Sequence, residues 1–218
     1  MTGPIPPSAW GIYLVTDRTA TGGRDLVEVV AAALCGGIRA VQLRERECST
    51  RELVSLARVL RELTSRHGAA LLVNDRVDVA LACDADGVHL PGHSFAVAEA
   101  RRLLGPRRLI GVSTHAPAEA AAAVRAGADF AVLGPIYDTP SKQQYGPPLG
   151  IDALAAAVAA STGPVLAIGG IDPDRIAAVR RHGAAGAAVI RAVLAAADPE
   201  RSAAELLRRW HAVGTEQA

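Results

Sequence analysis

Aromatic residues make up only 3% of the 218-residue chain. Any core must therefore be built mostly from Ala, Val, Leu and Ile, which the 50% apolar content supplies. Cysteine is equally sparse: Cys35, Cys48 and Cys83 are an odd number, widely spaced, with no CxxC pair. That pattern argues against a disulfide framework or a zinc site and suits a reducing interior. Neither sign of charge predominates. With 23 basic residues, 22 acidic ones and a net charge of +1, the chain has no electrostatic footprint for nucleic acid or an anionic membrane. Long apolar runs are missing too, because the Ala-rich stretches 119–126 and 153–160 are too short and interrupted to span a bilayer. The opening MTGPIPPSAW has three prolines and no basic segment leading into an apolar run, unlike a signal peptide. A soluble cytoplasmic protein with no nucleic-acid or membrane partner is the resulting expectation.

What the chain does contain is alternation. Eight short apolar runs recur: GIYLVT (11–16), IRAVQLR (38–44), AALLVN (69–74), DGVHL (86–90), RLIGVST (108–114), DFAVLG (129–134), PVLAIG (164–169) and GAAVIR (186–191). Runs apolar on both alternating positions predict strands covered on both faces, hence a parallel sheet. Between them lie segments of helical spacing. In 51–66, Leu53, Leu56, Ala57, Leu60 and Leu63 form one stripe, and 75–83, 94–104, 116–127, 151–160, 173–182 and 198–213 behave similarly. Ser49 with Glu52 reads as a capping box, and Asp172-Pro173 as a helix start. Gly36, Gly68, Gly127 and Gly183 stand where helices should stop. Eight such units without a linker predict one domain over 1–218, a (β/α)8 TIM barrel. The rival open sheet would show a glycine-rich GxGxxG turn after the first strand if it bound a dinucleotide, and YLVTDRTA has none.

In such a barrel the reactive groups sit just after the strands, and the polar residues of this chain fall there. Gln42, Arg44 and Arg46 follow the second run, and Asn74 and Asp75 the third. His89, His93 and Ser94 accompany the fourth, and Ser113-Thr114-His115 ends the fifth. Gly169-Gly170 before Asp172-Pro173, together with the turn at 190–192 (Ile190, Arg191), reads as a phosphate grip, since glycine lets a backbone approach an anion and helix-start amides point at it. The loop 135–150 is too long for a routine connection; Thr139, Ser141 and Lys142 within it could hold a phosphate or pyrophosphate. His115 is the candidate proton carrier, whereas His89, inside a strand, reads as structural.

The runs YLVTDR, VQLRER, NDRVDVAL, DADGVHLP, GVSTH, GPIYDTPSK and AIGGI, in this order over nearly the whole chain, resemble the thiamine phosphate synthase/TenI superfamily. The resemblance implies a (β/α)8 barrel acting on thiazole phosphate in thiamine biosynthesis. Synthases are similar at Gln42, Arg44, Asn74, Asp75, Thr139, Ser141 and Lys142, but their pattern has lysine at Arg46 and, at Ser94, an aspartate that is a second Mg2+ ligand. TenI-like thiazole tautomerases resemble the chain at Arg44-Glu45-Arg46, Leu90-Pro91-Gly92-His93-Ser94-Phe95 and His115. On those positions the expectation is a tautomerase, an isomerase that aromatises carboxythiazole phosphate without a metal. His115 would carry the proton, Arg44 or Arg46 would pair with the ring carboxylate, and Gln42, Asn74, Ser113, Gly170, Ile190 and Arg191 would bind substrate. The alternatives are an Mg2+-dependent thiamine phosphate synthase with Asp75 on the metal, and a non-catalytic thiazole-phosphate-binding regulator. The partner implied is a small phosphorylated thiazole; association into a homo-oligomer is left open.

Overall fold

Each of the eight apolar runs forms a strand, because every second residue packs inward and the ones between pack outward under helices. The strands are β1 Gly11–Val15, β2 Ala40–Leu43, β3 Ala70–Asn74, β4 Gly87–Leu90, β5 Leu109–Thr114, β6 Phe130–Leu133, β7 Val165–Ile168 and β8 Gly186–Val189. All neighbours pair in parallel, and β8 closes on β1, giving the expected TIM barrel. The structure, a computed structural model, describes residues 4–139 and 147–215.

The helices are α1 Leu26–Cys35, α2 Thr50–Arg66, α3 Val77–Ala82, α4 Val97–Leu104, α5 Pro117–Arg125, α6 Gly150–Ala160, α7 Ile176–Arg181, α8 Arg191–Leu194 and α9 Pro199–Thr215. The capping box of α2 is present: the Ser49 N–H donates to Glu52 Oε2 at 2.8 Å and the Glu52 N–H to Ser49 Oγ at 3.4 Å. Gly68, Gly127 and Gly183 end their helices with φ of +60°, +99° and +84°, as a left-handed stop requires. Gly36 caps α1 for a different reason. Its φ is −68°, and a Cβ there would lie 2.3 Å from the Glu200 carbonyl oxygen, so glycine admits the close approach of α9. Pro173 lies in the turn before α7 rather than inside it, where Asp172 Oδ1 accepts from the Asp174 and Arg175 amides, both at 3.0 Å. Among the described residues, no helix is long and apolar enough to cross a membrane.

Three of the seven aromatic residues pack together inside the barrel. Trp10, Tyr13 and Phe130 are each buried to within 1% and pack edge-on: Trp10 and Tyr13 lie 5.1 and 5.7 Å from Phe130 at 82° and 84°, the geometry ring quadrupoles favour. Small neighbours make room for them. A Cβ on Gly111 would fall 2.2 Å from the Phe130 ring, and Ala40 and Ala188 pair in register with Tyr13. This plug fills the lower barrel, and His89, 5.9 Å from both Tyr13 and Phe130, forms its upper surface.

Candidate active site

The C-terminal ends of the strands surround a cavity of about 1010 Å3. It is lined by Gln42, Arg44, Arg46, Asn74, Asp75, Ser113, His115, Thr139, Gly170, Ile190 and Arg191, each a site residue expected from the sequence. Ser141 and Lys142 lie outside the described residues. Parallel closure explains the convergence, since each strand delivers the residue that follows it to the same rim.

The floor is polar but nearly sealed. Gln42, 3% exposed, donates from Nε2 to the Tyr13 hydroxyl at 3.1 Å. His89, also 3% exposed, stands 2.8 Å from Ser113 Oγ through Nε2. Burial, with the Arg44 charge adding to it, lowers the His89 pKa to about 3, so the ring is neutral near pH 7. Burial likewise pushes the Tyr13 phenol up, with the Gln42 hydrogen bond opposing. His89, read from sequence as structural, also lines the cavity; the inward direction of alternate residues in β4 was the signal available in the sequence.

The rim carries the charges. Arg44 is anchored through its own N–H, which donates to Thr16 Oγ1 at 2.9 Å. Glu45, unassigned from sequence, also lines the cavity, with its side chain 3% exposed. Its Oε2 accepts from the Arg18 N–H at 3.0 Å and from Arg18 Nε at 3.2 Å, an ion pair that fixes β1's exit against β2's. Burial raises the Cys48 thiol against the opposing Arg18 charge, and Arg18 Nη2 contacts its sulfur. Asp75 sits at the end of β3 with φ +64°, and its N–H donates to the His89 carbonyl at 2.9 Å. A non-glycine residue in this region often marks strain at a functional site, although Asp84, at φ +51° in an ordinary turn, shows the same backbone. Position in the cavity is what separates the two. His115 is held by Nδ1–H donating to the Gly134 carbonyl at 2.6 Å. In the neutral ring this leaves Nε2 as the accepting nitrogen.

Two sequence signals also have contacts elsewhere in the fold. Gly169 and Gly170 have φ of +102° and +62°, yet added Cβ atoms would strike Pro135 Cα at 2.6 Å and the Asp138 carbonyl oxygen at 2.6 Å. The glycines are therefore demanded first by the chain after β6, which Arg175 braces by donating to the Gly170 carbonyl at 2.7 Å and stacking 5.0 Å from the Tyr137 ring. Ser94, weighted as the mark of a metal-free site, is not among the cavity's lining residues. Its N–H donates to the Pro91 carbonyl at 3.0 Å, and its hydroxyl is enclosed in protein.

Residues 12–193 match the family model described as thiamine monophosphate synthase. A relative from Geobacter sulfurreducens is 54% identical over 198 residues, 91% of this chain and 93% of its own. The protein named thiamine-phosphate synthase in Roseiflexus sp. is 46% identical over 212 residues, 96% of this chain and 88% of its own. Among solved structures, thiamine phosphate pyrophosphorylase from Pyrococcus furiosus superposes with a TM-score of 0.87 at 36% identity, covering 95% and 98% of the two chains. These names overturn the expected tautomerase, and the isomerase class with it, in favour of the alternative that the motifs at Gln42, Arg44 and Asn74-Asp75 had indicated.

Proposed function

The chain belongs to the thiamine monophosphate synthase family, and from that premise we propose that it is a thiamine-phosphate synthase. It joins hydroxymethylpyrimidine pyrophosphate to thiazole phosphate and releases pyrophosphate. The observation that carries this reading is one cavity in which Asp75, Arg44, Arg46 and the hydroxyls of Ser113 and Thr139 line the same space.

The thiazole nitrogen's lone pair forms a bond to the pyrimidine methylene carbon. The carbon–oxygen bond to pyrophosphate breaks, and its electron pair leaves with the oxygen. No proton moves in this exchange, so His115 loses the acid–base role expected of it and serves as a rim contact. The barrier lies in the charge that develops on the leaving group, which preorganised cations and donors stabilise best in a water-poor site. Arg44 and Arg46 present guanidinium forks suited to phosphate oxygens. Ser113 and Thr139 add hydroxyls, Asn74 an amide, and Gln42 on the floor orients the ring that enters deepest. At the β7–β8 end, Gly170, Ile190 and Arg191 receive the thiazole phosphate, the place where barrels of this kind commonly bind one.

Magnesium is the implied cofactor. Among the described residues no three His, Cys, Asp or Glu side chains converge to hold a metal, so Asp75 fits as a single carboxylate ligand. That suits a cation which keeps several waters and takes the rest of its oxygens from substrate phosphates. When bound it neutralises charge on the pyrophosphate.

Calorimetry checks this arrangement. Mg2+ alone should bind the protein weakly, and Mg2+ with inorganic pyrophosphate at least about tenfold more tightly, one such factor being about 1.4 kcal/mol. Tight Mg2+ binding without pyrophosphate, or no pyrophosphate binding with the metal, would contradict it.

A further inference from the structure

The floor contact between His89 and Ser113 has a direction that the surroundings determine. The His89 ring is 3% exposed, Nε2 lies 2.8 Å from Ser113 Oγ, and Nδ1 is enclosed with no hydrogen-bond partner. A neutral imidazole carries one N–H. Placing it on Nδ1 would bury an unpaired donor, and orphaned buried N–H groups are rarer than under-satisfied acceptors. The proton therefore belongs on Nε2, where it is donated to Ser113 Oγ. An oxygen that already accepts from His89 keeps its own O–H to give elsewhere, and Ser113 lines the cavity.

We infer that His89 is a positioning residue that fixes Ser113 as a hydrogen-bond donor into the cavity, so that the substrate atom meeting Ser113 is an acceptor of the phosphate-oxygen class. The chemical class of that atom rests on the synthase reading; the direction of the His89–Ser113 bond does not. Gln42 on the neighbouring wall is likewise held from below, its Nε2 donating to the Tyr13 hydroxyl. The floor thus holds these side chains in place before substrate arrives, which is how preorganised sites avoid reorganising during reaction.

The test uses the whole protein with 15N-labelled histidine, the His89 signals being assigned by their loss in His89→Gln. The inference expects Nε2 protonated and Nδ1 bare in the wild type. Binding of inorganic pyrophosphate with Mg2+ should weaken about tenfold in His89→Phe, which keeps a ring but loses the donor, a loss of the size expected for a hydrogen bond to a charged group. His89→Gln, whose amide N–H can reach the same oxygen, should stay within about threefold, well under that loss. Protonation on Nδ1, or equal weakening in the Phe and Gln variants, overturns the inference. Should His89→Phe fail to fold, the tautomer and the Gln variant still decide, weakening of about tenfold in Gln counting against it. Absence of pyrophosphate binding by the wild type overturns the synthase reading instead, while the tautomer signal stays readable.

Discussion

Asp75→Asn is expected to cut thiamine phosphate formation by at least about 100-fold at saturating substrates while leaving the fold intact. Asparagine has the same shape and is among the few residues that tolerate a φ of +64°, and it keeps the backbone donation to the His89 carbonyl. What it removes is the negative charge. Among the described residues no three-ligand cluster backs it up, and the Glu45 carboxylate that also lines the cavity is already engaged by Arg18. Altering groups that merely support a metal ligand costs about 10–100-fold, and loss of the ligand itself should cost no less. The check is the initial rate at several Mg2+ concentrations, alongside thermal unfolding. Turnover within about threefold of the parent, far below the supporting-group loss, would remove Asp75 from the metal site.

The second large effect concerns stability. Phe130→Ala should destabilise the barrel by about 3–5 kcal/mol, the range for truncating a buried phenylalanine. Phe130 is fully buried and meets Trp10, Tyr13 and His89 at once, so the neighbours that would have to collapse into the void are themselves rings fixed by the barrel. The melting temperature should fall by on the order of 10 °C. Gly111 supplies a control. In the parent, Gly111→Ala meets the Phe130 ring at 2.2 Å and should be costly, by about 1–3 kcal/mol as overpacking usually is. In the Phe130→Ala background it should be nearly neutral. Urea unfolding of the four proteins closes the cycle, and additive effects would show that the two positions do not oppose each other.

The fold was legible because its signal is repeated. Eight apolar runs, each with turn residues after it, leave few arrangements other than a closed parallel barrel. Helix α1 escaped the periodicity reading for a physical reason: beside its buried Leu26, Val29, Val30, Ala33 and Leu34 stand Val27, Ala31 and Ala32, so the two faces differ little. The rim residues were legible from their place after strands, without any knowledge of side-chain direction. Direction is where the reading failed. Ser94 stands in the right loop, but its hydroxyl is enclosed in protein, and the expected tautomerase leaned on it. His89 reads from sequence as structural, and β4 turns it inward onto the cavity floor. Gly36 does end α1, but it and Gly170 also admit the Glu200 carbonyl and the chain after β6, contacts between elements far apart in sequence that local pattern does not carry.

Turnover tests the synthase activity most directly. Purified protein given hydroxymethylpyrimidine pyrophosphate, thiazole phosphate and Mg2+ should form thiamine phosphate and pyrophosphate in equal amounts, and should stop when the metal is chelated. Absence of product from a folded preparation that binds both substrates would contradict it.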